Sequence, residues 1–151
     1  MTEKERELCE ELRRVGALRY EEAVDRFIEV VRSLSSSTDP EVLRCLLQAL
    51  YDADAGEAQY ELVEAAEGFP DEVYVPMLVE ELPGIRERAP RWGRLLLQSV
   101  LNSESARQQM EALIPGLDEA LKANLLEAVQ GIASDDFRYQ ILASRLGSLA
   151  G

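Results

Sequence analysis

Histidine is absent from this chain, and its 151 residues include only two cysteines, one tryptophan and nine glycines. Without histidine, imidazole-based catalytic triads and histidine-containing zinc sites are excluded. Cys9 and Cys45 are too few for a thiolate cage. Their neighbours Leu8, Leu12, Leu43, Leu46 and Leu47 mark them as small buried hydrophobes of a reducing compartment rather than a redox pair. No apolar run approaches the roughly 18 residues that a membrane span requires. The first residues, Met1-Thr2-Glu3-Lys4-Glu5-Arg6-Glu7, are charged, and no apolar stretch follows them as in a secretory signal, so a cytoplasmic location is expected. Glycine and proline are scattered, so no segment reads as a disordered linker, and a single domain over 1–151 is expected.

One further absence is local. Between Leu46 and Ile85 there is no Lys or Arg, while ten acids occur: Asp52, Asp54, Glu57, Glu61, Glu64, Glu67, Asp71, Glu72, Glu80 and Glu81. The whole chain has 29 acids and 16 bases, a net charge of −13, and this window alone supplies −10. Residues 1–45 carry −3, 86–107 carry +3 and 108–151 carry −3. A one-sign field of this kind steers oppositely charged partners and repels like-charged ones. It argues against nucleic acid as a direct ligand, because phosphate binding needs Lys and Arg. It suits a basic protein.

The apolar spacing is helical nearly everywhere, and no alternating β-rich run occurs. Leu8, Leu12 and Val15 predict a first helix over 2–15, closed by Gly16, and Val24, Phe27, Val31 and Leu34 a second over 20–34. Asp39 as N-cap and Pro40 in the first turn predict a third over 40–52. A fourth is expected over 57–67 after a break at Gly56, with Glu57, Glu61 and Glu64 opposite Leu62, Ala65 and Ala66. Pro70 opens a fifth, with Asp71 and Glu72 at its positive end and Val73, Met77, Leu78 and Leu82 as its stripe; Pro83-Gly84 is expected to end it. A sixth follows Ala89-Pro90 to about Leu101, a seventh begins after Ser103, an eighth covers 117–132, and Ser134-Asp135-Asp136 opens the last. The fold class is therefore all-α, with about nine short helices in antiparallel hairpins. Openings recur roughly every 30–35 residues, which points to an irregular HEAT-like α-solenoid, with a compact helical bundle as the alternative.

Within the acidic window the usual alternation of Glu with Lys or Arg is missing. A solvated face and an interaction face are both compatible with that pattern. Tyr51, Tyr60 and Tyr74 lie among the acids, and Tyr anchors in a charged rim are a common interface composition; each could equally sit at the edge of the core. Trp92 reads as core packing at a helix start. Arg86, Arg88, Arg91 and Arg94 have no glycine-rich anion loop beside them and are expected to pair with Glu80, Glu81 and Glu87. The carboxylate pairs Glu80-Glu81 and Asp135-Asp136 point about 100° apart on a helix and do not converge on a substrate. The residues therefore argue against an enzyme, and no cofactor or metal is expected.

The stretch Gly68-Phe69-Pro70-Asp71-Glu72-Val73-Tyr74-Val75-Pro76-Met77-Leu78-Val79-Glu80-Glu81-Leu82-Pro83 has a distinctive pattern. With Arg88-Ala89-Pro90-Arg91-Trp92, the apolar run from Leu95 to Leu101, Asn102-Ser103-Glu104, and Tyr51-Asp52-Ala53-Asp54 ahead, it resembles immunity protein family 30 of bacterial polymorphic toxin systems, including those of contact-dependent inhibition. The resemblance covers about residues 40–130 and leaves out the N-terminal helices and the last one. It implies a protein encoded beside a toxin, which protects its own cell by binding the toxin domain in the cytosol. Many such toxins are nucleases with basic clefts, which an acidic surface can cover by mimicking phosphate. The expected contacts are Asp52, Asp54, Glu57, Glu61, Glu64, Asp71 and Glu72, with Tyr51, Tyr60 and Tyr74 as anchors. A HEAT-like adaptor in a cellular complex is the rival reading, and a carboxylate-based hydrolase a distant third.

Overall fold

A computed structural model describes the backbone of residues 1–18, 21–52 and 56–151, and side chains outside 16–22 and 53–57. Among the described residues there are nine α-helices and no strand, as the apolar spacing requires. They are α1 (Glu3–Leu18), α2 (Glu21–Leu34), α3 (Pro40–Gln48), α4 (Gly56–Glu67), α5 (Asp71–Arg88), α6 (Pro90–Asn102), α7 (Glu104–Leu113), α8 (Glu119–Asp135) and α9 (Gln140–Leu149). Short 3-10 turns at Ile114–Gly116 and Phe137–Tyr139 lead into α8 and α9.

The helix starts follow their capping residues. Asp39 accepts from the Glu41 N–H at 2.8 Å, with Pro40 in the first turn of α3. Ser103 accepts from Ala106 N–H at α7, and Asp118 from Leu121 N–H at 2.8 Å at α8. Some helix ends depart from the sequence reading. Gly16 lies inside α1, and Gly56 begins α4 rather than preceding it. Ser134 and Asp135 finish α8, and Asp136 caps the following 3-10 turn through Arg138 N–H. A Ser-Asp-Asp run supplies caps wherever it falls, so composition alone leaves the choice of capping residue open.

The largest departure is α5, which does not stop at Pro83-Gly84 but runs on to Arg88 with Pro76 and Pro83 inside it. An internal proline removes a hydrogen bond and crowds the preceding turn, a cost of about 3 kcal/mol. Tertiary contacts offset it. Ile85 beyond the proline is fully buried, and the Arg88 guanidinium donates to Leu47 O at 2.8 Å and Leu50 O at 3.1 Å. Those carbonyls lie in the last turn of α3 and just beyond it, where the helix supplies few donors: among the described residues Leu47 O otherwise accepts only from the Leu50 N–H at 3.3 Å. Burial lowers the pKa of the Arg88 guanidinium from the ordinary arginine value. α5 is buried nearly all round, through Tyr74, Val75, Met77, Leu78, Val79, Leu82 and Ile85. Its neighbours are α3, α6, α7 and α8.

The other contacts link the helices as successive hairpins: α1 with α2, α3 with α4, α5 with α6, and α8 with α9. Across hairpins, α1 packs on α3, α3 on α5, α5 on α8, and α2 on α4. This pairing suits a solenoid and a bundle alike. Cys9 and Cys45 are buried and free, with Cys45 Sγ 3.8 Å from Cys9 O, and burial pushes the Cys45 thiol pKa up. They are small core residues, as their neighbours indicate.

Candidate functional site

The acidic window maps onto the end of α3, all of α4 and most of α5. On α4, Leu62, Ala65 and Ala66 are buried, while Glu64 is exposed and Glu61 is half-buried. The helical spacing thus separates an apolar face from an acidic one. Glu61 is bridged by Arg32 of α2, Nη2 to Oε1 at 2.8 Å. A shallow cleft of 160 Å³ beside this bridge is lined by Val31, Arg32, Ser35, Glu61, Glu64, Ala65 and Gly68. Glu80 and Glu81, further along α5, share the Arg44 guanidinium at 2.9 and 2.7 Å. The window's bases are therefore borrowed from α2 and α3.

Other members of the expected contact set divide by location. Asp71, in the first turn of α5, accepts from Ser105 Oγ at 2.7 Å, and Glu72 beside it is exposed. Among the described residues, the carboxylates of Glu64, Glu67 and Glu72 make no hydrogen bond or ion pair. Glu67 keeps much of its surface exposed, yet packing about its carboxyl pushes its pKa up. Asp52 instead holds the fold together. Its Oδ2 accepts from Arg91 N–H at 3.1 Å, at the open N-terminus of α6, and its own N–H donates to Arg88 O. A carboxylate supplied from a distant loop thus does the work of an N-cap. Asp54 lies outside the described residues, and Glu57 is described only as part of α4.

The three tyrosines differ. Tyr60 is 63% exposed and stands at the edge of the acidic face. Its ring meets Trp92 of α6 edge to face, centroids 5.1 Å apart and planes at 89°. Tyr51 is half-buried, its N–H donating to the Gln59 side chain at 3.1 Å. Tyr74 departs from its expected role as a surface anchor: it is 4% exposed and its hydroxyl finds no partner among the described residues. Burial, then the nearby Glu67 and Asp71 carboxylates, raise its pKa. The reason is register: Tyr74 stands one turn before Leu78 and two before Leu82 on the buried side of α5, while Glu72 and Glu80 take the outer side.

The arginine cluster also pairs differently from the sequence expectation. Arg86 reaches α8, donating to Asn124 O at 3.1 Å and bridging to Glu127 at 3.5 Å. Arg94 bridges to Asp135, and Arg88 binds the carbonyls at the end of α3. Among the described residues none of them forms an ion pair with Glu80, Glu81 or Glu87, although the charges of Glu81 and Glu87 act on Arg88, because helix packing brings partners on α3 and α8 within bonding distance. A cleft of 460 Å³ lies between α5, α6 and α8, lined in part by Arg86, Arg94, Leu97 and Glu127. Among the described residues no group of His, Cys, Asp and Glu could hold a metal ion, and no helix is long and apolar enough to cross a membrane.

Fold and surface together define an all-α protein whose acidic face carries a braced aromatic at its margin, a composition suited to protein recognition. Residues 14–110 match the family Immunity protein 30, and the chain belongs to that family. The match reaches back into α1 and α2, which the resemblance had left out, and stops at Met110, before α8 and α9. The whole acidic window lies inside it. Comparison with curated proteins and with solved structures found no match.

Proposed function

We propose that this immunity protein binds a cognate toxin domain in the cytoplasm and neutralises it by stoichiometric, non-covalent association through its acidic face. The toxin is basic, and a nuclease cleft is the target that an array of carboxylates imitates best, since such a cleft is built to receive phosphate. The observation that carries the reading is that, among the described residues, the Glu64 and Glu72 carboxylates have no partner, in a segment with no base of its own. Exposed carboxylates left without internal pairs keep their field for a partner. Glu61 and Asp71 flank them, Tyr60 supplies contact area, and Asp54 and Glu57 extend the same charge.

The test is a double reversal, Glu64→Lys with Glu72→Lys, assayed against the toxin domain encoded by the neighbouring reading frame at low and at physiological salt. An association rate about tenfold slower is expected, with the deficit shrinking as salt screens the field beyond roughly 8–10 Å. Equal rates and equal affinity at both salts would remove this face from the interface. Co-purification with a conserved cellular assembly, in place of a toxin, would favour the adaptor reading.

A further inference from the structure

Resting on the toxin-binding reading, we infer that the contact is centred on an apolar shelf that bridges α4 and α6. Tyr60 and Leu95 form its surface and Trp92 its support. The partner presents there an apolar side chain flanked by Lys or Arg on the α4 side.

The shelf combines exposure with immobility. Tyr60 is 63% exposed and Leu95 is 49% exposed, whereas Trp92 is 9% exposed. Leu95 follows Trp92 by three residues on α6, so the two side chains share a face of the helix. The edge-to-face contact of Tyr60 with Trp92 ties the exposed phenol to the core. A ring already held in place loses little rotamer freedom when a partner covers it, which is what distinguishes an anchor from a merely exposed side chain.

Charge selects the occupant. Glu61 and Glu64 lie one residue and one turn beyond Tyr60 on α4, so the shelf continues into the acidic face. A partner seated on it meets apolar surface at the centre and carboxylates along the α4 side, and an apolar tip with cationic residues on that side complements both. Arg91, exposed beside Trp92, offers donors to a partner carbonyl. A second exposed apolar pair, Phe137 and Ile141, each 83% exposed, lacks that setting. Its neighbouring charges are satisfied internally, Arg138 by Asp136 and Arg145 by Glu111. It also lies beyond the residues that match the family.

The experiment measures binding of the neighbouring-frame toxin domain to four purified variants whose melting curves match the wild type: Tyr60→Ala, Leu95→Ser, Glu64→Lys and Phe137→Ser with Ile141→Ser. Tyr60→Ala and Leu95→Ser should each weaken binding at least tenfold, through faster dissociation and with little dependence on salt. Glu64→Lys should act on association, and the Phe137/Ile141 variant should bind like wild type. Wild-type affinity in both Tyr60→Ala and Leu95→Ser, with Glu64→Lys impaired, would overturn the shelf and leave the acidic-face reading standing. Loss of binding only in the Phe137/Ile141 variant would move the centre to α9 and also overturn it. Absence of toxin binding by the wild-type protein would remove the toxin-binding reading itself and the shelf with it.

Discussion

The N-terminal helices and the α4–α5 segment use the same residue types for different ends. In α1–α3 acids and bases occur together, and several of the charges close on one another, while Glu3, Glu7 and Asp25 form no side-chain bond among the described residues but have bases within their own helices. Glu11 receives a two-pronged Arg26, Glu5 accepts from Ser37 and Thr2, the terminal amine meets Asp39, and Glu41 meets Arg44. Even Glu10, which makes no such bond, has Arg6 and Arg14 one turn away on either side. In α4, and in α5 as far as Ile85, there is no base to close on. Glu61, Glu80 and Glu81 reach into α2 and α3 for one, and among the described residues the Glu64, Glu67 and Glu72 carboxylates go without. The difference teaches that acid counts alone do not mark a binding face. The mark is an acid that the fold leaves unanswered.

The two regions are joined at Arg88, and breaking that joint should have the largest effect. Arg88→Ala takes the guanidinium donor from Leu50 O, leaves Leu47 O with only the Leu50 N–H at 3.3 Å among the described residues, and removes one of the contacts that carry α5 past Pro83. A loss of about 2 kcal/mol is expected, read as a lower urea midpoint with an unchanged slope. A result within about 0.5 kcal/mol of wild type, on the order of a neutral surface change, would show that Ile85 burial alone sustains the end of α5.

Acid should separate the regions by sign. The pKa of Glu11 is lowered by its hydrogen bonds from Arg26, that of Asp39 by the terminal amine, and that of Glu5 by the Thr2 N–H. These groups bind protons more weakly in the native chain. Their stabilisation is full above the ordinary carboxylate range and is lost as pH falls through the lowered native values. Glu67 is opposite: burial raises its pKa, so its contribution is best when protonated and declines as pH rises through the ordinary carboxylate range. The urea midpoint should therefore fall between about pH 6 and pH 3, and Arg26→Ala should flatten part of that fall. Identical pH profiles for Arg26→Ala and wild type would deny Glu11 its share.

The smallest effect sharpens the same contrast. Glu67 is the last residue of α4, at the negative end of the helix, with Glu64 one turn before it. Glu67→Gln should raise stability by about 0.5 kcal/mol near pH 7, through relief of the burial cost of the charged carboxylate together with its place at the negative helix end beside Glu64, and by nothing near pH 3. An equal gain at both values would point to packing rather than charge.

Much of this was legible in the residues, and the failures share a cause. Asp39-Pro40 and Ser103 announced their helices because capping is local chemistry. The Leu62/Ala65/Ala66 stripe announced its burial because helical period is local geometry. Family membership was legible in the Pro-Asp-Glu to Ala-Pro-x-Trp pattern. Pro83-Gly84 misled because its local penalty is outweighed by contacts with α3, which lies about 40 residues earlier in the sequence. Arg86 and Arg94 misled for the same reason, since α8 was not visible as their neighbour. Tyr74, by contrast, turned inward because it falls in line with Leu78 and Leu82, one and two turns on, a register that its acidic sequence neighbours obscure. Trp92 was rightly placed in the core, but its hold on Tyr60 joins two helices that nothing in the spacing connects.

That hold has a practical consequence. The chain contains a single indole, and it rests against the most exposed tyrosine ring of the acidic margin. The protein therefore carries its own optical label. Emission from Trp92 reports unfolding when the core opens, and it reports a ligand on Tyr60 while the core stays closed, so association and denaturation can be followed in one cuvette without a dye.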